Sequence, residues 1–378
     1  MNRTYVVASG VASPLGFDTP TTFEALIAGQ TGLRVRQPAS SAGPVCTAEV
    51  DGSLLARACS DRLLTRGTPA TKLEQMGLVA LHAALHDTTL SWQQADTLLI
   101  VCSAKGNIPA LAEAVAAEPP GQQEYMARLA QSWASAWGLC NEPMVLSNAC
   151  ISSLHGIVVA RRLIGQGLFR HVIVIGADVV SDFTRAGFQG FNAVSAEPCR
   201  PFDAARRGIN LGEAAAVLVL SADDRLSVGV ELRGGVVTND AHHISAPSRT
   251  GEGLFRAIER VRAGRTPDFI SLHGTATVYN DEMEAQALNR ANLLDCPVYS
   301  LKGQLGHTLG AAGVLESVLA IESLRRNQLL ASHQYATPGT TYPLRVVERP
   351  ETRPLQTCLK TSSGFGGCNA AVWYEKTN

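Results

Sequence analysis

A chain of 378 residues is long enough for two to three units at roughly 150 residues per domain. With 46% hydrophobic and 17% charged residues it can bury a large core, which excludes extensive disorder. Its 32 basic and 33 acidic residues leave a net charge of −1, so bulk charge gives no support to a nucleic-acid binder.

In chain order, Tyr5-Val6-Val7-Ala8-Ser9-Gly10 is too short for a signal-peptide core and reads as a first strand. Gln37 to Pro44, rich in Ser, Gly and Pro, reads as a surface loop. A helix is expected over Thr71 to Leu90, then a buried strand over Thr97 to Cys102, then a segment from Gly106 to Pro120 that is partly loop. Ile151 to Gly165 reads as a helix; Val172 to Gly176, Ala216 to Leu220 and Phe269 to Leu272 read as short buried strands. Alternation of strand and helix favours α/β with buried sheets. The best apolar run, Ala214 to Leu220, is strand-sized, far below the roughly 18 residues of a membrane span. Nine cysteines with no CxxC spacing argue against a disulfide framework and a structural zinc. His82 and His86 have the spacing of metal ligands and His242 and His243 are adjacent, but no third ligand is evident, and no metal is expected. The expectation is a soluble, cytoplasmic protein.

Three segments echo one another in order. The strand after Asp96 resembles the strand after Asp268. The Pro143 segment with its helix resembles the Pro297 segment with the helix from Gly310 to Arg325. His171 to Asp178 resembles Cys358 to Tyr374, read as one strand interrupted by glycines. Two similar halves are expected, residues 1–225 and 226–378, with loops of both at one interface.

Cys150 follows a short strand and a tight Ser-Asn-Ala turn and opens a helix. Backbone N–H groups and the positive helix end at such a place lower a thiol's pKa and can hold an oxyanion. A small buried apolar residue is the alternative role. His273 ends a strand in His-Gly-Thr-Ala-Thr, with Asn280, Asp281 and Glu284 following; His307 lies within Lys302 to Gly313, among four glycines and two alanines. Small residues let backbone and ligand approach closely. One cysteine and two histidines, each at a strand end, form a nucleophile-and-base set. Lys302, at least partly enclosed by the same turn, needs a carboxylate, and Glu316 on the next helix is the nearest candidate; a surface lysine that pairs with nothing is the alternative. Ser362 to Asn369 is a second glycine-rich turn without the Lys-Ser/Thr of a phosphate loop. Its backbone can supply an oxyanion donor, with Phe365 as an apolar lid.

Together, Asn148-Ala-Cys150, His273-Gly-Thr-Ala-Thr with Asn280-Asp281, Lys302 to Gly313, and Gly364-Phe-Gly-Gly-Cys-Asn369 resemble the β-ketoacyl-acyl-carrier-protein synthases. Cys199-Arg-Pro-Phe-Asp203 with Gly212-Glu213 adds a fifth similar stretch, and the likeness runs from Tyr5 to Trp373. The resemblance implies a thiolase-like, five-layered αβαβα fold from two duplicated halves, usually a homodimer. It implies Cys150 as the acylated nucleophile, His273 and His307 as its partners, and Lys302 with Glu316 as a supporting pair. The N–H groups of Cys150 and Phe365 would form the oxyanion hole. No cofactor is implied, and the partner is an acyl carrier protein bearing acyl and malonyl groups. A paralogous subunit in place of a second copy stays open. Gly212-Glu213-Ala214 departs from the family's Gly-Glu-Gly, Asn148-Ala-Cys-Ile-Ser-Ser153 departs around the nucleophile, and the chain is short by a few tens of residues. Those features resemble condensing enzymes of aryl polyene and flexirubin-type clusters.

A chain-length-factor-like partner without catalysis is one rival, opposed by the retained Cys150. A CoA-dependent thiolase using Cys368 as acid/base is another. Arg62, Arg66 and Lys72 are candidate docking charges for an acidic carrier, with plain solvated charges as the alternative.

Overall fold

The computed structural model describes residues 2–37, 43–63, 71–86, 88–109 and 124–377. Among the described residues, ten strands form the main sheet. In the first half they are β1 (Tyr5–Ala12), β2 (Thr97–Cys102), β3 (Met144–Leu146), β4 (His171–Asp178) and β5 (Ala214–Ser221). In the second they are β6 (Val230–Asn239), β7 (Phe269–Ser271), β8 (Val298–Tyr299), β9 (Thr357–Gly364) and β10 (Cys368–Lys376).

The spatial order is β8-β7-β9-β10-β6-β1-β5-β4-β2-β3. Within each half, strands taken as first to fifth run first-fifth-fourth-second-third, with the last two neighbour pairs parallel and the others antiparallel. The sequence echoes fall on equivalent strands: β2 with β7, β3 with β8, β4 with β9. The halves meet where Tyr5 pairs Glu231. Every residue of β4 and β5 is buried, as expected of strands covered on both faces.

The helices are α1 (Thr19–Ile27), α2 (Gly52–Leu63), α3 (Lys72–Leu85), α4 (Glu124–Ala136), α5 (Ser152–Gly165), α6 (Asp182–Gly190), α7 (Glu252–Arg262), α8 (Val278–Arg290), α9 (Lys302–Leu305) and α10 (Ala312–Arg326). One apolar core lies between the first half-sheet and α2–α4, a second between the other half-sheet and α7 and α8. The largest lies between the half-sheets, around α5 and α10. Helix, sheet, helix, sheet, helix: this is the five-layered arrangement of two duplicated halves. Residues Ala312 to Leu324 of α10 are all buried, and its close packing on α5 requires Gly313, where a Cβ would stand 2.3 Å from the Leu154 nitrogen.

Two local expectations are corrected. The helix begun at Thr71 ends at Leu85, not Leu90. Thr71 caps it by accepting from the Glu74 N–H, while Glu74 accepts from the Thr71 N–H at 2.9 Å. Cys358 to Tyr374 is not one interrupted strand but two antiparallel ones, β9 and β10, turning at Phe365 to Gly367.

Candidate active site

Each chemical group stands beyond the C-terminal end of a parallel strand, the usual mouth of an α/β sheet. Cys150 follows β3, His273 follows β7, Lys302 and His307 follow β8, and Phe365 follows β9. They line one cavity of about 370 Å³ together with Phe188, Phe191 and Arg207, except Lys302, which lies behind His273.

The turn before Cys150 is strained. Ala149 has φ 46°, left-handed backbone that non-glycine residues rarely adopt. Ser152 secures it, donating to the Ala149 carbonyl at 2.6 Å and accepting from the Asn148 N–H at 2.8 Å. The Gly364 turn lies directly above: a Cβ on Gly364 would stand 3.2 Å from the Cys150 nitrogen and 3.1 Å from the Cys368 sulfur. Cys368, the residue the sequence offered as the acid/base of a thiolase, therefore sits beside the candidate nucleophile.

That enclosure overturns the expected acidity of Cys150. Burial pushes the thiol up to about 12 and the nearby Cys368 adds to the rise, while the Lys302 charge and the Phe365 N–H oppose it. The helix start, α5 at Ser152, does not make Cys150 an acidic thiol against that burial.

His273 is 2% exposed. Its backbone N–H donates to Glu284 at 2.8 Å and the Gly274 N–H to the other oxygen at 2.6 Å. Lys302 donates to the His273 carbonyl at 2.5 Å and stands 3.3 Å from His273 Nδ1. An ammonium has no lone pair, so His273 Nδ1 accepts and its proton is on Nε2. His307 Nδ1 accepts from the Leu309 N–H at 3.2 Å, which puts that proton on Nε2 as well. The rings meet edge to face with centroids 5.0 Å apart. Burial, then the Lys302 charge, holds both imidazoles well below their ordinary pKa, so both are neutral near pH 7. Gly306, at φ 68°, turns the chain into His307, and a Cβ there would stand 2.8 Å from the Leu211 carbonyl.

Lys302, 1% exposed, pairs with Glu316 at 2.6 Å. The other Glu316 oxygen is 2.6 Å from Lys360, a buried lysine absent from the sequence reading. Asp178, also missed, ends β4 and accepts from Ser103, Ala104 and Gly310 at 2.7–2.8 Å, which ties three site loops together. Burial pushes it up to about 6, against those donors. Burial and then the Asp281 charge push Glu284 up to about 7. Phe365 packs on Phe188 and Phe191 at 5.6 and 5.4 Å.

Of the docking charges, Lys72 is engaged, 2.5 Å from buried Glu213, which also accepts from the N–H groups of Val50 and Val180. Only the backbone of Arg62, in α2, is described, and Arg66 lies outside the described residues.

The sequence matches the "Beta-ketoacyl synthase, N-terminal domain" over residues 1–225 and the "Beta-ketoacyl synthase, C-terminal domain" over residues 230–336. The chain belongs to the beta-ketoacyl synthase family. A relative named 3-oxoacyl-[acyl-carrier-protein] synthase 2, from Mycobacterium leprae, is 28% identical, covering 97% of this chain and 95% of its own. Among solved structures, a Xenorhabdus doucetiae ketosynthase in complex with its chain length factor matches with TM-score 0.84 and 25% identity, over 100% of this chain and 98% of that one. The ishigamide ketosynthase/chain length factor matches with TM-score 0.87 and 25% identity over the whole of both chains. Among the described residues of this beta-ketoacyl synthase, no helix is long and apolar enough to cross a membrane.

Proposed function

We propose that the protein is a condensing acyltransferase that joins an acyl group held on Cys150 to malonyl-acyl-carrier protein, in fatty-acid, polyene or polyketide elongation. The observation that carries this reading is one cavity holding a buried thiol and two neutral imidazoles whose Nε2–H groups are fixed as donors. In the loading step the Cys150 sulfur attacks the acyl-carrier thioester. Its proton ends on the departing carrier thiol; neither imidazole relays it, because the Nδ1 lone pairs already face Lys302 and the Leu309 N–H. The N–H groups of Cys150 and Phe365 hold the oxyanion. Malonyl-carrier then binds with its thioester oxygen between His273 and His307. The carboxylate C–C bond breaks, CO2 leaves, and its electron pair becomes an enolate stabilised by the two Nε2–H donors. The enolate carbon attacks the acyl-Cys150 carbonyl, the C–S bond breaks, and β-ketoacyl-carrier is released with the free Cys150 sulfur. The chemistry needs no organic cofactor. Lys302 and Glu316 serve as the supporting pair that orients His273.

Labour divides between the halves: residues 1–225 supply Cys150, and 226–378 supply both histidines and the Phe365 turn. A second copy or a paralogous subunit is the expected partner. Edge strand β3, with Met144 37% and Val145 39% exposed, fits such a contact. We place the reaction in the cytoplasm, where nine unpaired cysteines remain thiols. The test mixes the protein with acyl-carrier and then malonyl-carrier, following intact mass and product. An acyl adduct followed by β-ketoacyl-carrier supports the reading. Thiolysis with acyl-CoA alone and no carrier contradicts it.

A further inference from the structure

Lys360 is fully buried and takes no part in the steps above. It pairs in register with Ser271 across β9 and β7. Side chains two apart on a strand share a face, so Lys360 faces the same way as Ser362, whose hydroxyl is 3.4 Å from His273 Nδ1. Its ammonium stands 2.6 Å from one oxygen of Glu316 and donates to the carbonyls of Thr361 at 2.5 Å and Ser271 at 3.3 Å. Lys302 holds the other Glu316 oxygen at 2.6 Å. One carboxylate thus serves two ammonium groups, and Glu284, whose charge also acts on both lysines, is pushed up to about 7 by burial and so offsets their surplus positive charge only in part. A buried surplus charge is unfavourable unless something compensates it.

We propose that Lys360 is a positioning residue of the condensation site: it holds Glu316 so that Lys302 stays on His273, and its surplus charge favours the enolate at the two histidines. This rests on the condensing reading of Cys150, His273 and His307. The charged groups around the histidines come from every neighbouring element: Lys302 from α9, Glu316 from α10, Glu284 and Asp281 from α8, Lys360 from β9, and Asp178 from β4. Lys360 helps hold both imidazoles neutral, behind burial, Lys302 and, at His273, His307, whereas the titratable groups acting on buried Cys150 are Cys368, Lys302 and Asp178 and not Lys360. Removing Lys360 therefore acts on the malonyl half-reaction and spares acyl loading.

The test is Lys360→Met, which conserves volume, and Lys360→Gln, which keeps a donor to Glu316 without the charge. Release of labelled CO2 from malonyl-carrier is measured against pH, alongside the rate of acyl loading on Cys150. Both variants should lower kcat for decarboxylation roughly tenfold with KM nearly unchanged. Both should move the acid limb of the profile to higher pH, because the imidazoles protonate more readily. Loading should stay near the unsubstituted rate. An unmoved acid limb with an unchanged rate overturns the proposal, as does a parallel loss of loading and decarboxylation, which marks a structural role only. If the unsubstituted protein releases no CO2, the condensing reading itself fails and the proposal falls with it.

Discussion

Replacing Glu316 by glutamine removes the one carboxylate that two buried ammonium groups share, each at 2.6 Å. Burial alone would raise that carboxyl, but Lys302 and then Lys360 outweigh it and hold it below its ordinary value. A carboxyl with a depressed folded-state pKa contributes stability that is complete above its unfolded value and is lost as pH falls through the folded value. At neutral pH the whole contribution is therefore present. Removing one partner of a buried pair costs about 3–5 kcal/mol, and Glu316→Gln should lose that much near pH 7. The deficit shrinks in acid, where the unsubstituted protein loses the carboxylate too. It also shrinks in alkali. Lys360 is already depressed by burial, and facing an amide instead of a carboxylate it falls further. Stability then rises with pH between that folded value and the ordinary lysine value. Urea midpoints of both proteins from about pH 4 to pH 10 measure the difference. A loss below about 1 kcal/mol at neutral pH, flat across the range, would refute the shared-carboxylate reasoning.

Two further outcomes follow from the geometry. A Cβ on Gly310 would stand 2.5 Å from the Ala104 nitrogen and 2.7 Å from Asp178 Oδ2, so Gly310→Ala should lose about 1–3 kcal/mol in urea unfolding; an unchanged midpoint would show that the clamp yields freely. Because burial holds the Cys150 thiol up at about 12, its alkylation by iodoacetamide in the unliganded protein should keep rising past pH 9. A plateau reached below pH 7 would show a preformed thiolate.

The site was legible where chemistry and small residues coincide at a strand end. Cys150, His273, His307 and Phe365 each follow a strand into a tight turn, and the repeated strand order of the halves explains why the motifs converge. Glu316 was within reach because it lies on the helix that follows Lys302. Lys360 was not, because a strand's alternation does not say which face meets which neighbour. Its role depends on pairing with Ser271, 89 residues away. The acidity of Cys150 was misjudged for a related reason. The local turn and helix are as read, but its burial comes from the Gly364 to Cys368 turn, more than two hundred residues downstream. Lys72 could not be known as engaged without Glu213, brought beside it by β5 and the first turn of α3.

Separating the two half-reactions by mutation tests the division of roles among Cys150, His273 and His307 most directly. Acyl-enzyme mass and labelled CO2 from malonyl-carrier are followed together. Cys150→Ala should form no acyl-enzyme and no condensation product, yet still release CO2, because both Nε2–H donors remain. His273→Ala and His307→Ala should each retain acyl loading, since Cys150 and both oxyanion N–H groups remain. Each should lose decarboxylation by about a hundredfold. Condensation by Cys150→Ala, or decarboxylation at the unsubstituted rate in both histidine variants, would contradict the assignment.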